Sequence, residues 1–203
     1  MTTATRDQFI EVAGRLFAER GFYGASIAAI AGEMGLTKQA LLHHFGSKEK
    51  LYGQVLRHLS EDLIVASQVV TADNPDPTRR IEALVLLQYQ GQMANVDSAR
   101  LIMRELLDNE QRAENAGNWY LRPYLEVLVD AALQVEHCRT WHRGRALALI
   151  YQLLGAAHYF AVSQPTLKSI FGPELLAITK KTFEGELRCL IRARLQASAA
   201  GSP

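Results

Sequence analysis

Cysteine is scarce in this chain: Cys138 and Cys189, far apart, are the two among 203 residues. Two isolated thiols build no disulfide framework, so the fold is expected to rest on an ordinary core and to suit a reducing compartment. Charge of one sign is lacking as well. Lys and Arg number 22 against 21 Asp and Glu, a net charge of +1, which gives no global field, so any contact with a polyanion must be local. The first residues show no charged-then-apolar leader pattern, and no apolar run reads as long enough to span a bilayer; a cytoplasmic chain with no membrane partner is expected. Alternating strand patterns, internal repeats and low-complexity segments are missing too. So are a nucleophile motif, a phosphate-binding glycine loop and a zinc-protease helix, and the chain is therefore expected not to be an enzyme and to need no cofactor. His137, Cys138 and His142 lie close in sequence, but their spacing fits no common zinc arrangement, so no metal is expected.

What is present is helical periodicity, in a composition 48% apolar and able to build a substantial core. Phe9, Val12, Ala13, Leu16 and Phe17 recur at i, i+3, i+4, i+7 and i+8, one stripe of a helix that Gly21 ends. Ile27, Ile30, Ala31 and Met34 repeat the pattern over a shorter helix, capped by Ser26 and stopped by Gly35, where the chain can turn sharply because no Cβ opposes a left-handed conformation. Thr37 is the natural cap of the next helix. There Leu41 and Phe45 share the buried side, and Lys38, Gln39, Leu42, His43 and His44 occupy the rest. Ala31 is small enough to let the two short helices cross closely, as a helix-turn-helix requires.

A recognition helix needs side chains that donate to phosphates and a few that read base edges. Lys38, Gln39, His43 and His44 are of that kind, and Gln39, near the helix start, can pair with adenine in bidentate fashion. Lys48 then opens another helix, where an ammonium and free backbone N–H groups suit a phosphate. The stretch GFYGASIAAIAGEMGLTKQALLHHFGSKEKLY resembles the DNA-binding domain of the TetR family of bacterial transcriptional regulators, with Gly21, Phe22, Ser26, Ile30, Ala31, Gly35, His44, Phe45, Ser47, Lys48 and Leu51 in matching order and spacing. Ala25, Ala29 and Leu42 stand where that family commonly has Thr, an acidic residue and Tyr. Leu42 cannot hold a phosphate through a hydroxyl and is left to touch a thymine methyl, which shifts the phosphate grip to Lys38, His44 and Lys48. Ser26 and Thr37 complete the expected DNA-contact set.

The remaining pattern is also all helix. A long helix is predicted from Lys48 to about Val70, a helix from the Asp76-Pro77 pair, another from about Asp97 to Asn109, a loop to Asn118, and a helix with Pro123 in its first turn. Residues 146–162 are apolar nearly all round, and residues 174–195, opened by Gly172-Pro173, carry a stripe with charges opposite. One chain has few elements left to cover both. The two helices are expected to pair with their copies as a four-helix bundle, through Leu147, Tyr151, Leu154, Phe183, Leu187, Leu190 and Ile191, with Gly155, Ala156 and Gly185 permitting close approach. The resemblance implies the same homodimer. It further implies a repressor of a double-stranded DNA operator, released by a small molecule held in the second domain. Candidate lining residues are Tyr89, Met93, Met103, Leu107, Trp119, Tyr120, Tyr124, Tyr151, His158 and Phe160. A two-fold dimer would read an inverted repeat. The expected organisation is a helix-turn-helix DNA-binding domain over residues 1–47 and a helical ligand-binding and dimerisation domain over residues 48–203. The alternatives are an activator or a ligand-independent regulator, and, outside DNA binding, a helical ligand-binding protein or an enzyme.

Overall fold

The computed structural model describes residues 3–107 and 120–196, and among these it has eight helices and one short 3-10 turn. They run α1 (Thr3–Gly24), α2 (Ile27–Glu33), α3 (Lys38–Phe45), α4 (Lys48–Asp73), α5 (Pro77–Ala94), α6 (Val96–Leu107), α7 (Arg122–Gln134), the 3-10 turn Glu136–Cys138, and α8 (Arg143–Gln196). The fold is all-α, as the periodicity predicts. Two of these spans are broken within. Helical geometry is interrupted in α1 at Gly21 and in α8 at Gly172, where φ is +81° and ψ 165°. That conformation is one that L side chains rarely adopt, so Gly172 is where the chain can turn back. Phe160 and Phe183, nearly equidistant from Gly172, stack with ring centroids 4.0 Å apart, so the two arms of α8 run antiparallel.

The chain divides into two compact units, one of residues 1–62 and 95–122, the other of residues 63–94 and 123–203. The first unit thus continues past residue 47 into α4 and takes in α6. Its core joins Phe9, Ala13, Leu16 and Phe17 of α1 to Ile30 and Ala31 of α2, Leu41 and Phe45 of α3, Leu51, Tyr52 and Val55 of α4 and Leu101 of α6. Tyr52 donates to the buried Glu105 carboxylate at 2.6 Å, and Arg104 donates to the carbonyls of Ala18 and Glu19, both at 2.8 Å. These bonds satisfy carbonyls near the end of α1 that the helix itself leaves open.

The core of the second unit joins α5, α7 and both arms of α8 through Ile81, Leu84, Leu128, Ile150, Leu153 and Ile191. Pro123 stands in the first turn of α7, and Asp76 accepts from the Arg79 amide at 2.8 Å ahead of α5, both where the sequence pattern puts them. The expectation that no apolar run is long enough for a bilayer is corrected here: α8 is long and apolar enough by length and composition. Half of its most apolar stretch is buried inside the fold, which is the character of a core helix.

Candidate nucleic-acid interface

The helix-turn-helix is built by caps. Ser26 Oγ accepts from the Ala29 amide at 3.0 Å, and Thr37 Oγ1 accepts from the Ala40 amide at 3.2 Å. Between them Gly35 takes φ +65°, and the Leu36 amide returns to the Ala31 carbonyl at 2.9 Å. α3 ends as the Gly46 amide bonds the Leu42 carbonyl at 2.7 Å, and Ser47 Oγ then caps α4 by accepting from Lys50 N at 3.2 Å. The Ser26 and Thr37 hydroxyls are committed as acceptors and keep their O–H for an outside partner, whereas the Ser47 hydroxyl also bonds the Glu49 carboxylate. Ser26 and Thr37 can therefore hold the fold and still donate to a phosphate.

On α3 the two sides separate cleanly. Leu41 and Phe45 are buried, while Lys38, Gln39, His43 and His44 are exposed. The ring of His44 rests 6.1 Å from Phe9 and that of His43 5.6 Å from His44. Leu42 is half-buried and packs against the core, so part of its surface serves the domain and part remains outward. Lys48 is half-buried, its ammonium 4.5 Å from the centre of the Phe22 ring. That contact holds the ammonium over the Phe22 ring of α1 while the Lys48 backbone opens α4. Glu49 stands in the same turn. Its carboxyl is held below the usual range by backbone hydrogen bonding and the Ser47 hydroxyl, which keeps one negative charge near the turn that Lys48 and Lys50 have to outweigh. All eight expected contact residues lie between the start of α2 and the start of α4, in one unit. Lys50, exposed and in the same first turn, is a further cation absent from the expected set; its place in the run SKEK was the available signal.

The expected effector-lining residues are divided between the two units. Tyr89, Tyr124, His158 and Phe160 are buried in the second unit, with Met93 packed against the same core. Met103 and Tyr120 lie in the first unit. There Tyr120 is a brace: its carbonyl accepts from Ser60 at 2.5 Å, and its ring packs so closely on Gly53 that a Cβ would come within 2.6 Å of the hydroxyl. Leu107 is 74% exposed, Tyr151 stands 48% exposed on the outside of α8, and Trp119 falls outside the described residues. The dimer set divides as well. Leu154, Leu187 and Ile191 are buried within the subunit, and Phe183 is stacked on Phe160, so these four are consumed by the chain's own core. Leu147, Tyr151 and Leu190 are exposed, as are Tyr159, Ile170, Phe171, Leu175 and Ile178, whose exposure depends on the kink at Gly172, which decides which side of each arm faces outward.

The family model described as bacterial regulatory proteins, tetR family, matches residues 9–55. The HTH-type transcriptional repressor KstR2 of Rhodococcus jostii (strain RHA1) is 34% identical over 85 residues, 42% of either chain. The chain thus matches less than half the length of that relative. Over almost the whole chain the fold is similar to that of the fatty acid degradation regulator FadR from Bacillus halodurans, with a TM-score of 0.74, 16% identity and coverage of 97% of this chain and 98% of that one. A TetR-family transcriptional regulator from Bordetella parapertussis 12822 gives a TM-score of 0.68 at 20% identity, covering 98% and 97%.

Proposed function

Because residues 9–55 match the family model of bacterial regulatory proteins, tetR family, we propose that the chain is a cytoplasmic repressor of that family that binds an inverted-repeat operator as a homodimer, without catalysis, and is released by a small apolar or aromatic effector. The observation that carries the DNA-binding part is the outer face of α3. Lys38, Gln39, His43 and His44 project from a capped helix whose other side is anchored by Leu41 and Phe45, so the donors are presented at fixed spacing. Lys38, His44 and Lys48 take phosphates and Gln39 reads a base edge, with Ser26, Thr37, Leu42 and His43 around them.

Dimerisation is supported by the exposed apolar side of α8. Leu147, Tyr151, Gly155 and Tyr159 follow one another at intervals of four, all exposed. Apolar side chains at that spacing on one helix face need a partner surface. Effector binding in the second unit is supported by the aromatic and methionine side chains gathered there. Release requires the effector to favour a conformation whose two recognition helices no longer match successive grooves; affinity for both conformations alike would change nothing.

The test is selection of genomic fragments on the purified chain, then affinity against salt for the best fragment. An enriched inverted repeat is expected, with a steep salt slope. Lys38→Ala should reduce that slope by about one and weaken binding to all sequences alike, whereas Gln39→Ala should relax one base preference by about 1–3 kcal/mol. Weak binding with no sequence preference in the parent chain would overturn the reading.

A further inference from the structure

We propose that the effector is an uncharged, largely apolar molecule that donates hydrogen bonds, through a hydroxyl or an N–H, to the amide oxygens of Gln92 and Gln88, a reading that rests on the effector-released function above. Among the described residues, three buried polar atoms of the second unit have no hydrogen-bond partner: Gln88 Oε1, Gln92 Oε1 and the Tyr124 hydroxyl. The three residues are 3%, 1% and 3% exposed. Folded proteins leave few such atoms, because each has given up its bonds to water for nothing in return. Gln88 and Gln92 are one turn apart on α5 and so share a face, and Tyr124 belongs to the core on which α5 packs.

The polarity of the unmet need follows from His158. Its Nδ1 lies 2.7 Å from the Leu154 carbonyl, which can only accept, so Nδ1 carries the proton. Burial pushes the ring's pKa down and keeps it neutral, leaving Nε2 as an acceptor. Gln92 Nε2, 2.8 Å away, must then be the donor. That fixes the orientation of the amide, and the atom left over is its oxygen, an acceptor that lacks a donor. An anion finds no cation here. Among the described residues no Lys or Arg is buried, and Arg188 and Arg192, the cations bonded to α5, are held by Glu82. A carboxylate would set lone pairs against the Gln92 oxygen and bury its charge unpaired. The core that holds these glutamines also contains the stacked rings of Tyr89, Phe183 and Phe160 and, packed against it, Met93, an adaptable side chain whose sulfur lies 3.0 Å from Gln164 Nε2.

The test uses the full chain, free of DNA, titrated at neutral pH with three probes of one shape: 4-hexylphenol, which donates; 4-hexylanisole, whose donor is methylated; and 4-hexylbenzoate, which is charged. The phenol is expected to bind at least about tenfold more tightly than either of the others. Gln92→Leu and Gln88→Leu should each cut the phenol's advantage over the anisole to about threefold or less while leaving anisole affinity unchanged. Equal affinity for phenol and anisole, tightest binding of the benzoate, or no binding of the phenol would each overturn the proposal. The probe ratio in the parent chain decides the matter even where a variant fails to fold. Operator release by the phenol is measured separately. Binding with the expected ratio but without release leaves the site standing and sinks the effector-released reading, so the two failures are told apart.

Discussion

Tyr124 and His158 show how much a single buried polar group can reveal. Burial drives the Tyr124 hydroxyl far above its usual pKa, and no partner offsets the cost. Removing that oxygen should therefore cost nothing. Tyr124→Phe is expected to leave the urea midpoint unchanged or to raise stability by up to about 1 kcal/mol, where a tyrosine with a satisfied hydroxyl would lose about that amount; a clear drop in the midpoint would mean that the hydroxyl is bonded. His158 makes a pH prediction with a definite sign. Its folded pKa is lowered, chiefly by burial, so below the usual histidine value of about 6.5 the unfolded chain takes up a proton that the folded chain refuses. Stability should fall as pH drops from about 7 through 6 and on toward the lowered folded value. His158→Gln should flatten that slope in unfolding curves recorded at several pH values, whatever its effect on the midpoint at pH 7.

At the scale of elements, what ties helices together was less legible in the sequence than what makes them. The periodicity of α1 to α3, the caps at Ser26 and Thr37 and the breaks at Gly35 and Gly172 are local properties, and the structure carries each of them. The exposed residues of α3 could be named for the same reason: in an eight-residue helix, two buried positions decide where the others point. Long-range bonds leave no such trace. Glu105 bonds Tyr52 across 53 residues, and Glu82 accepts from Arg188 at 2.8 Å and from Arg192 at 2.6 Å across more than a hundred. The effector candidates scattered for a related reason, since aromatic character is a property of composition and burial is one of topology. Glu82 locks α5 to the second arm of α8. Its carboxyl is held below the usual range by hydrogen bonds from Arg192 and then Arg188, against the opposing effect of burial. Both arginines stand partly in water, which discounts the pairing, so Glu82→Gln should cost about 1–2 kcal/mol rather than the 3–5 of a fully enclosed pair. The depressed pKa sets the pH window. The contribution is complete above the usual glutamate range and is lost as pH falls through the folded value, so variant and parent should converge in strongly acidic urea titrations.

For the whole molecule, the strongest demand is for a second copy. Gly155 and Gly185 lie exposed within the two arms of α8, and a Cβ built on either meets nothing within 4 Å among the described residues. Inside a helix, glycine costs about 1 kcal/mol relative to alanine, and no described neighbour accounts for its presence at either place. A helix crossing closely from outside would, because backbone can approach backbone only where side chains are absent. Around these positions stand Tyr151, Tyr159, Ile178 and Leu190, all exposed, an apolar surface whose burial would drive association at about 25 cal/mol per Å² of apolar area. The two explanations of the glycines separate in one pair of variants. If they serve the subunit alone, Gly155→Leu and Gly185→Leu should leave the oligomeric state untouched. If they serve a two-fold bundle, each should yield monomers in sedimentation at micromolar concentration while helix content at low temperature is retained. Operator affinity should then collapse, because one recognition helix cannot hold both half-sites of an inverted repeat.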